Sequence, residues 1–122
     1  MKDPKRAQRS RLPITEFSKS DELVRSAAEL IPGGAHTYSK GPDQSPKLGP
    51  KFIARGKGCR VWDVDGNEYI DWTMGLSSVS LGHAYKPVLE AVRKELLNGS
   101  NFICPSPIEV ELAEHLLREI PT

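Results

Sequence analysis

The clearest alternation of apolar and polar positions falls in residues 58–83. Val61 and Asp63 fall on one face, Trp62 and Val64 on the other. Beyond Asp65-Gly66, Tyr69 and Asp71 alternate with Ile70 and Trp72. A period of two is that of a strand, and Asp-Gly tolerates positive φ in a tight turn, so the pattern predicts a β-hairpin. Aromatic and β-branched side chains flank the turn, where cross-strand packing rewards them. Upstream, residues 51–54 and 59–64 read as strands joined across Arg55-Gly56-Lys57-Gly58. With residues 68–72 they make a three-stranded antiparallel meander.

Helical spacing takes over on either side. Leu23, Val24, Ala27, Ala28 and Ile31 share one face of a helix starting near Ser18 or Ser20. Asp21 and Glu22 suit the positive end of its dipole, and Pro32-Gly33-Gly34 stops it. A second helix is expected over about residues 85–97, with Val88, Leu89, Val92 and Leu96 as its stripe. Pro87 fits its first turn, Glu90 and Lys94 form an i,i+4 pair, and Asn98-Gly99 ends it. The third has the sharpest start. Ser106-Pro107-Ile108-Glu109 combines an N-cap serine, proline at N1 and the glutamate of a capping box. Ile108, Leu112, Leu116 and Ile120 are expected to face inward, with Pro121 closing the helix.

Two stretches have no period. Residues 35–49 are rich in turn formers, and the Gly/Ser run at residues 75–82 is too polar for a core strand and too poor in helix formers for a helix. Both read as backbone held near a ligand.

Composition adds dependence on a partner. The chain has 122 residues, room for one domain, but only 38% apolar residues, a mean hydropathy of −0.44, ten prolines and ten glycines. This is lean for a self-sufficient globule and fits a chain that leans on another subunit or a missing remainder. Net charge is +1, concentrated in Lys2, Lys5, Arg6, Arg9 and Arg11 against Asp3. Residues 1–19 read as a flexible basic tail, and a nucleic-acid function would need a basic face on the folded part as well. There is no apolar signal region and no run long enough to span a membrane. Cys59 and Cys104 are isolated, which fits free thiols in a reducing compartment and a cytoplasmic location.

Local chemistry is sparse. An EF-hand loop with Gly66 at position 6 would put Val61 at 1 and Trp72 at 12, so Asp63 and Asp65 read as solvated carboxylates of a turn. Neither Gly56-Lys57-Gly58 nor Gly33-Gly34 has the spacing of a phosphate loop. His36, His83 and His115 share no metal-ligand spacing, so no metal site is expected. His115 follows Glu111 by four residues as a surface pair. His83 reads as a structural hydrogen-bonding residue, with a catalytic role the alternative. No serine, cysteine or lysine has a base beside it in sequence.

Taken together, several segments resemble one family. They are Leu30-Ile31-Pro32-Gly33-Gly34; Gly58 with the run from Val61 through Asp65-Gly66-Asn67-Glu68-Tyr69-Ile70-Asp71; Leu81-Gly82-His83 with Pro87, Val88 and Ala91; and Glu111-Leu112-Ala113-Glu114. In order and spacing they resemble the class III aminotransferases, which use pyridoxal 5'-phosphate, and among them the glutamate-1-semialdehyde 2,1-aminomutase-like group. The resemblance implies an α/β fold, the N-terminal portion of a fold-type I enzyme: a helix, a small antiparallel meander, then two helices leading into a missing large domain. It implies a homodimer with sites at the subunit interface and a small amino or carbonyl substrate. It places His36, Thr37, Tyr38, Lys40, Gly75, Leu76 and Ser77 at the substrate pocket. The Schiff-base lysine, the aspartate on the pyridine nitrogen and the phosphate turn lie downstream in full-length relatives. No catalytic residue is therefore expected in this chain, and alone it is expected to be inactive.

Two departures bear on substrate. The mutases usually carry an Asn-Ser-Pro-Val-Arg run where this chain has His36-Thr37-Tyr38-Ser39-Lys40, and Lys40 keeps the charge without the bidentate fork. A tryptophan usual in the mutases is replaced by Leu76, followed by Ser77 and Ser78. Both point to a related aminotransferase with another substrate. The competing expectation is a non-catalytic assembly module that keeps only the dimer-forming region.

Overall fold

The computed structural model describes residues 16–120; the basic leader and Pro121 lie outside them. The chain divides into two compact units between Tyr85 and Lys86.

In the first unit, helix α1 (Ser18–Leu30) begins at the earlier of its two expected starts and takes in the last two residues of the expected tail. Its N-cap position, Phe17, offers no side-chain acceptor. Ser18 N donates to Glu16 Oε1 at 3.1 Å, and the next two free N–H groups meet a carboxylate from the distant hairpin. Lys19 N donates to Asp65 Oδ1 at 2.8 Å, while Ser20 N and Ser20 Oγ donate to Asp65 Oδ2 at 3.0 and 2.6 Å. Ser20 is thereby fully buried. Of the expected apolar face, Ala27 is buried, Val24 is half-buried, and Leu23 and Ile31 remain exposed.

Strands β1 (Ile53–Lys57), β2 (Arg60–Asp63) and β3 (Glu68–Ile70) form the expected antiparallel meander in the order β1-β2-β3. The first strand runs later than expected. Lys57 pairs with Arg60, so the turn is Gly58-Cys59 and Arg55, Gly56 and Lys57 are strand. Gly58 adopts φ +57°, the left-handed conformation that a two-residue hairpin turn demands. Gly56 can lie in the strand because the His83 ring rests against it; a Cβ there would fall 2.6 Å from His83 Cγ.

The second connection is longer than a tight Asp-Gly turn. Trp62 pairs with Glu68, leaving residues 63–67 to close it. Asp63 explains the length. Its Oδ1 accepts Asn67 N at 2.8 Å, and its Oδ2 accepts Asn67 Nδ2 at 2.9 Å and the Tyr69 hydroxyl at 2.8 Å. Neither Asp63 nor Asp65 is a solvated carboxylate, contrary to expectation. Both supply acceptors to donors that the backbone leaves unpaired. Asp63 is 2% exposed and packs beside buried Val61, while the Arg55 guanidinium lies 3.6 Å from the Trp62 ring centroid. The Asp63 contact also acts on Tyr69, whose phenol is pushed well above its ordinary range by burial, then by its hydrogen bond to Asp63 and that charge.

The second unit holds α2 (Lys86–Leu96) and α3 (Pro107–Glu119). The capping box forms as expected, with Ser106 N donating to Glu109 Oε1 at 2.7 Å. The apolar stripes do not face inward in this chain: Ile108, Leu112, Leu116 and Ile120 are 45–57% exposed, and Val88, Leu89, Val92 and Leu96 are exposed too. The ion pair on α2 is Lys86–Glu90 at 3.5 Å, not Glu90–Lys94. Helical side chains lean toward the N-terminus, which carries Glu90 back over Lys86. Among the described residues His115 and Glu111 form no ion pair. No helix among the described residues is long and apolar enough to cross a membrane.

Candidate functional site

Past β3 the chain enters the Gly/Ser-rich loop through Asp71, whose N–H still donates to Cys59 O at 2.9 Å. Asp71 Oδ1 then accepts Thr73 N, Thr73 Oγ1 and Met74 N at 3.0, 2.8 and 3.0 Å, which is how a short carboxylate side chain starts a turn. Its other oxygen, Oδ2, meets His83 Nε2 at 2.7 Å. His83 is itself fixed to the β1–β2 turn, since His83 N donates to Gly58 O and Gly58 N to His83 O, both at 2.9 Å. The His83 contact holds the Asp71 carboxyl down to about 2, with burial opposing and the Met74 and Thr73 donors reinforcing it.

Between these ends lie four successive residues with positive φ: Met74 (44°), Gly75 (60°), Leu76 (56°) and Ser77 (70°). Each non-glycine residue there costs roughly 1–2 kcal/mol. A left-handed turn results, with Ser77 N donating to Thr73 O at 3.1 Å and Val79 N to Met74 O at 3.0 Å. Gly75, Leu76 and Ser77 sit on it, exposed, with Leu76 at 82%.

The other candidates lie in a separate loop. Tyr38–Lys40 forms a single 3₁₀ turn, with Lys40 N donating to Thr37 O at 3.1 Å and Gly41 N to Tyr38 O at 3.0 Å. His36, Thr37, Tyr38 and Lys40 are all exposed. Behind them Lys51 extends its Nζ to the carbonyls of Pro42, Ser45 and Pro46 at 3.2, 3.0 and 2.9 Å, using all three ammonium donors. Sequence reading did not single out Lys51, because backbone carbonyls leave no sequence signature. No hydrogen bond or ion pair among the described residues joins residues 36–40 to residues 75–77.

Elsewhere the second unit has an open groove of about 700 Å³, lined mainly by apolar groups including Val92, Leu96, Phe102 and Ile108. None of the seven candidate residues lines it. Cys59 and Cys104 are free and exposed, and among the described residues no three His, Cys, Asp or Glu side chains gather as a metal set.

Comparison with known proteins decides the family. The Aminotransferase class-III family matches residues 42–122. The chain belongs to this family. It is 36% identical over 107 residues to glutamate-1-semialdehyde 2,1-aminomutase 1 of Macrococcus caseolyticus, covering 88% of this chain and 25% of that protein. A solved transaminase with PLP bound superposes with a TM-score of 0.77 at 33% identity, covering 89% of this chain and 25% of that one. A glutamate-1-semialdehyde aminomutase from Pseudomonas aeruginosa gives 0.72 at 26% identity, covering 86% and 23%. The fold is that of PLP-dependent transferases of fold type I, and the chain spans about a quarter of the length of the relatives it matches.

The family's cofactor needs a lysine amine in a shielded pocket, a partner for the pyridine nitrogen and a phosphate cradle. The side chains of residues 16–120 do not make that set. Lys51 is committed to three carbonyls, Lys86 pairs with Glu90 in solvent, and Lys19, Lys40, Lys47, Lys57 and Lys94 are exposed.

Proposed function

We propose that this chain is the N-terminal part of a pyridoxal phosphate-dependent aminotransferase or aminomutase that moves an amino group to or from a small carbonyl substrate. The family match over residues 42–122 carries this reading. Within it, His36, Thr37, Tyr38 and Lys40 border the substrate from one loop and Gly75, Leu76 and Ser77 from the other. Both segments are exposed; the second is anchored at its ends by Asp71 with His83, and the first leads into residues 42–46, three of whose carbonyls Lys51 gathers, as suits a binding surface on a rigid support. Lys40 would meet an anionic substrate group as a point charge, and Leu76 would offer an apolar contact where the mutases carry an aromatic ring. A substrate other than glutamate 1-semialdehyde follows. A homodimer in the cytoplasm completes the reading.

The assembly-module alternative differs in what it expects of the polypeptide: dimer formation without uptake of the cofactor. A single experiment separates the two. The longest polypeptide of the reading frame is incubated with pyridoxal phosphate, reduced with borohydride and mapped by mass spectrometry. A reduced adduct on one lysine outside residues 16–120, together with amino transfer to a carbonyl acceptor, is expected. An adduct on Lys40 or Lys51 would overturn the assignment of these loops to substrate. A stable dimer with no adduct would establish the assembly module instead.

A further inference from the structure

The left-handed turn at residues 74–77 is adverse backbone, and the hydrogen bonds inside it are all local: Ser77 N to Thr73 O, Val79 N to Met74 O, a long Ser78 N to Gly75 O at 3.4 Å, and Ser78 Oγ to the same carbonyl at 2.7 Å. Strain of this kind persists only where the surroundings over-determine it. The ends of the loop supply that restraint. Asp71 uses one carboxylate oxygen to fix Thr73 and Met74 and the other to reach His83, twelve residues on. His83 is held in turn by its two backbone bonds to Gly58, and its side chain sits close against Gly56, where any Cβ would collide.

We propose that Asp71 and His83 form a positioning clasp that holds the loop in the conformation presenting Gly75, Leu76 and Ser77. The assignment of those three residues to substrate rests on the function proposed above; the clasp itself can be tested without substrate. Neither clasp residue need touch substrate, since each acts through the loop between them. The contact is 24% exposed on the His83 side chain and 15% on Asp71, shielded enough to be worth more than a surface pair.

Amide hydrogen exchange, followed by NMR on the whole chain, tests the clasp. In Asp71→Ala and in His83→Ala, the amides of Ser77 and Val79 are expected to lose about tenfold or more in protection, while Asp63 N in the hairpin and Ile120 N after α3 stay within about twofold. The double variant is expected to match Asp71→Ala within about twofold, because one clasp can be broken only once. His83→Gln, whose amide N–H can still donate to Asp71, is expected to recover at least about half of the lost protection on a logarithmic scale. Unchanged protection at Ser77 and Val79 would overturn the proposal. So would an equal loss at Asp63, which would mean a general structural role, or a His83→Gln variant no better than His83→Ala. Should an alanine variant fail to fold, Asp71→Asn carries the test. It keeps an acceptor for Thr73 and Met74 while weakening the reach to His83, so Ser77 and Val79 should lose about threefold or more, and no loss overturns the clasp. Failure of the substrate reading has a different signature. Leu76→Ala in the longest polypeptide of the frame would leave kcat/KM unchanged while the exchange pattern above still held; the clasp then stands and the substrate assignment falls.

Discussion

Helices α1 and α3 are each thirteen residues long, yet they are held by different means. Helix α3 caps itself: Ser106 and Glu109, three residues apart, close the box, and its apolar stripe stays bare. Helix α1 has only Glu16 at its first N–H from nearby sequence, and takes the acceptor for the next two from Asp65, 45 residues beyond Ser20. The contrast extends to the units around them. In residues 16–85, Asp63, Asp65 and Asp71 each gather several donors and tie segments together. In residues 86–120 the helices form from local signals and expose the faces that a core would use. The lesson is that local sequence is enough to form an element, while holding it in place takes a distant partner.

The largest effect expected is at Asp63. Asp63→Ala strands the Asn67 amide and the Tyr69 hydroxyl and leaves the Asn67 side chain only the Glu16 carbonyl, and should destabilise the chain by about 3 kcal/mol. Urea unfolding followed by tryptophan fluorescence measures it, and a loss under about 1 kcal/mol would show that the hairpin does not depend on this carboxylate. Next comes Asp65→Ala, which should cost the Lys19 and Ser20 amides about tenfold in exchange protection while leaving α3 untouched. Ser18→Ala should change nothing there, because Ser18 is not the cap. If Ser18→Ala matched Asp65→Ala, the long-range cap would be wrong.

Acid should reach the first unit through the same carboxylates. Asp71 sits at about 2 when folded against an ordinary 3.8, so its contribution is complete above about pH 4 and is lost as pH falls toward 2. Asp65 shares the sign: burial raises it, but the Ser20 hydroxyl and the Lys19 and Ser20 amides outweigh that and lower it. Tyr69 runs the other way. Its raised phenol contributes below pH 10, and the contribution is lost as pH climbs through the folded value. The stability gap between the parent chain and Asp71→Asn should therefore shrink as pH drops from about 4 to 2. A gap constant across that window would detach Asp71 from acid sensitivity.

What could be read in advance follows the same division. The meander, the stop at Pro32-Gly33-Gly34 and the Ser106 capping box were legible because each depends on residues within a few positions of one another. The β1 boundary was not, because Gly56 reads as a strand breaker until His83, far along the chain, lies against it. The acids of the hairpin looked like solvated turn residues for the same reason: their donors are Lys19 and Ser20, or a tyrosine on the next strand. The two aperiodic stretches, residues 35–49 and 75–82, were legible as segments without α-helix or strand. The sequence did not reveal the left-handed run at Met74, Leu76 and Ser77, since nothing in those residue types demands positive φ.

The smallest effect separates the two units most cleanly. Leu116 is 45% exposed, so Leu116→Ser returns little area to water and should change the unfolding free energy by under about 0.5 kcal/mol, where truncating a buried leucine costs about 2–5 kcal/mol. Sedimentation should at the same time show weaker self-association, because the stripe of Ile108, Leu112 and Leu116 is apolar surface in search of cover. A loss above about 1 kcal/mol with no change in association would reverse the comparison. It would mean that α3 buries this face within the chain in solution, and that the second unit is held by packing as firmly as the first is held by its carboxylates.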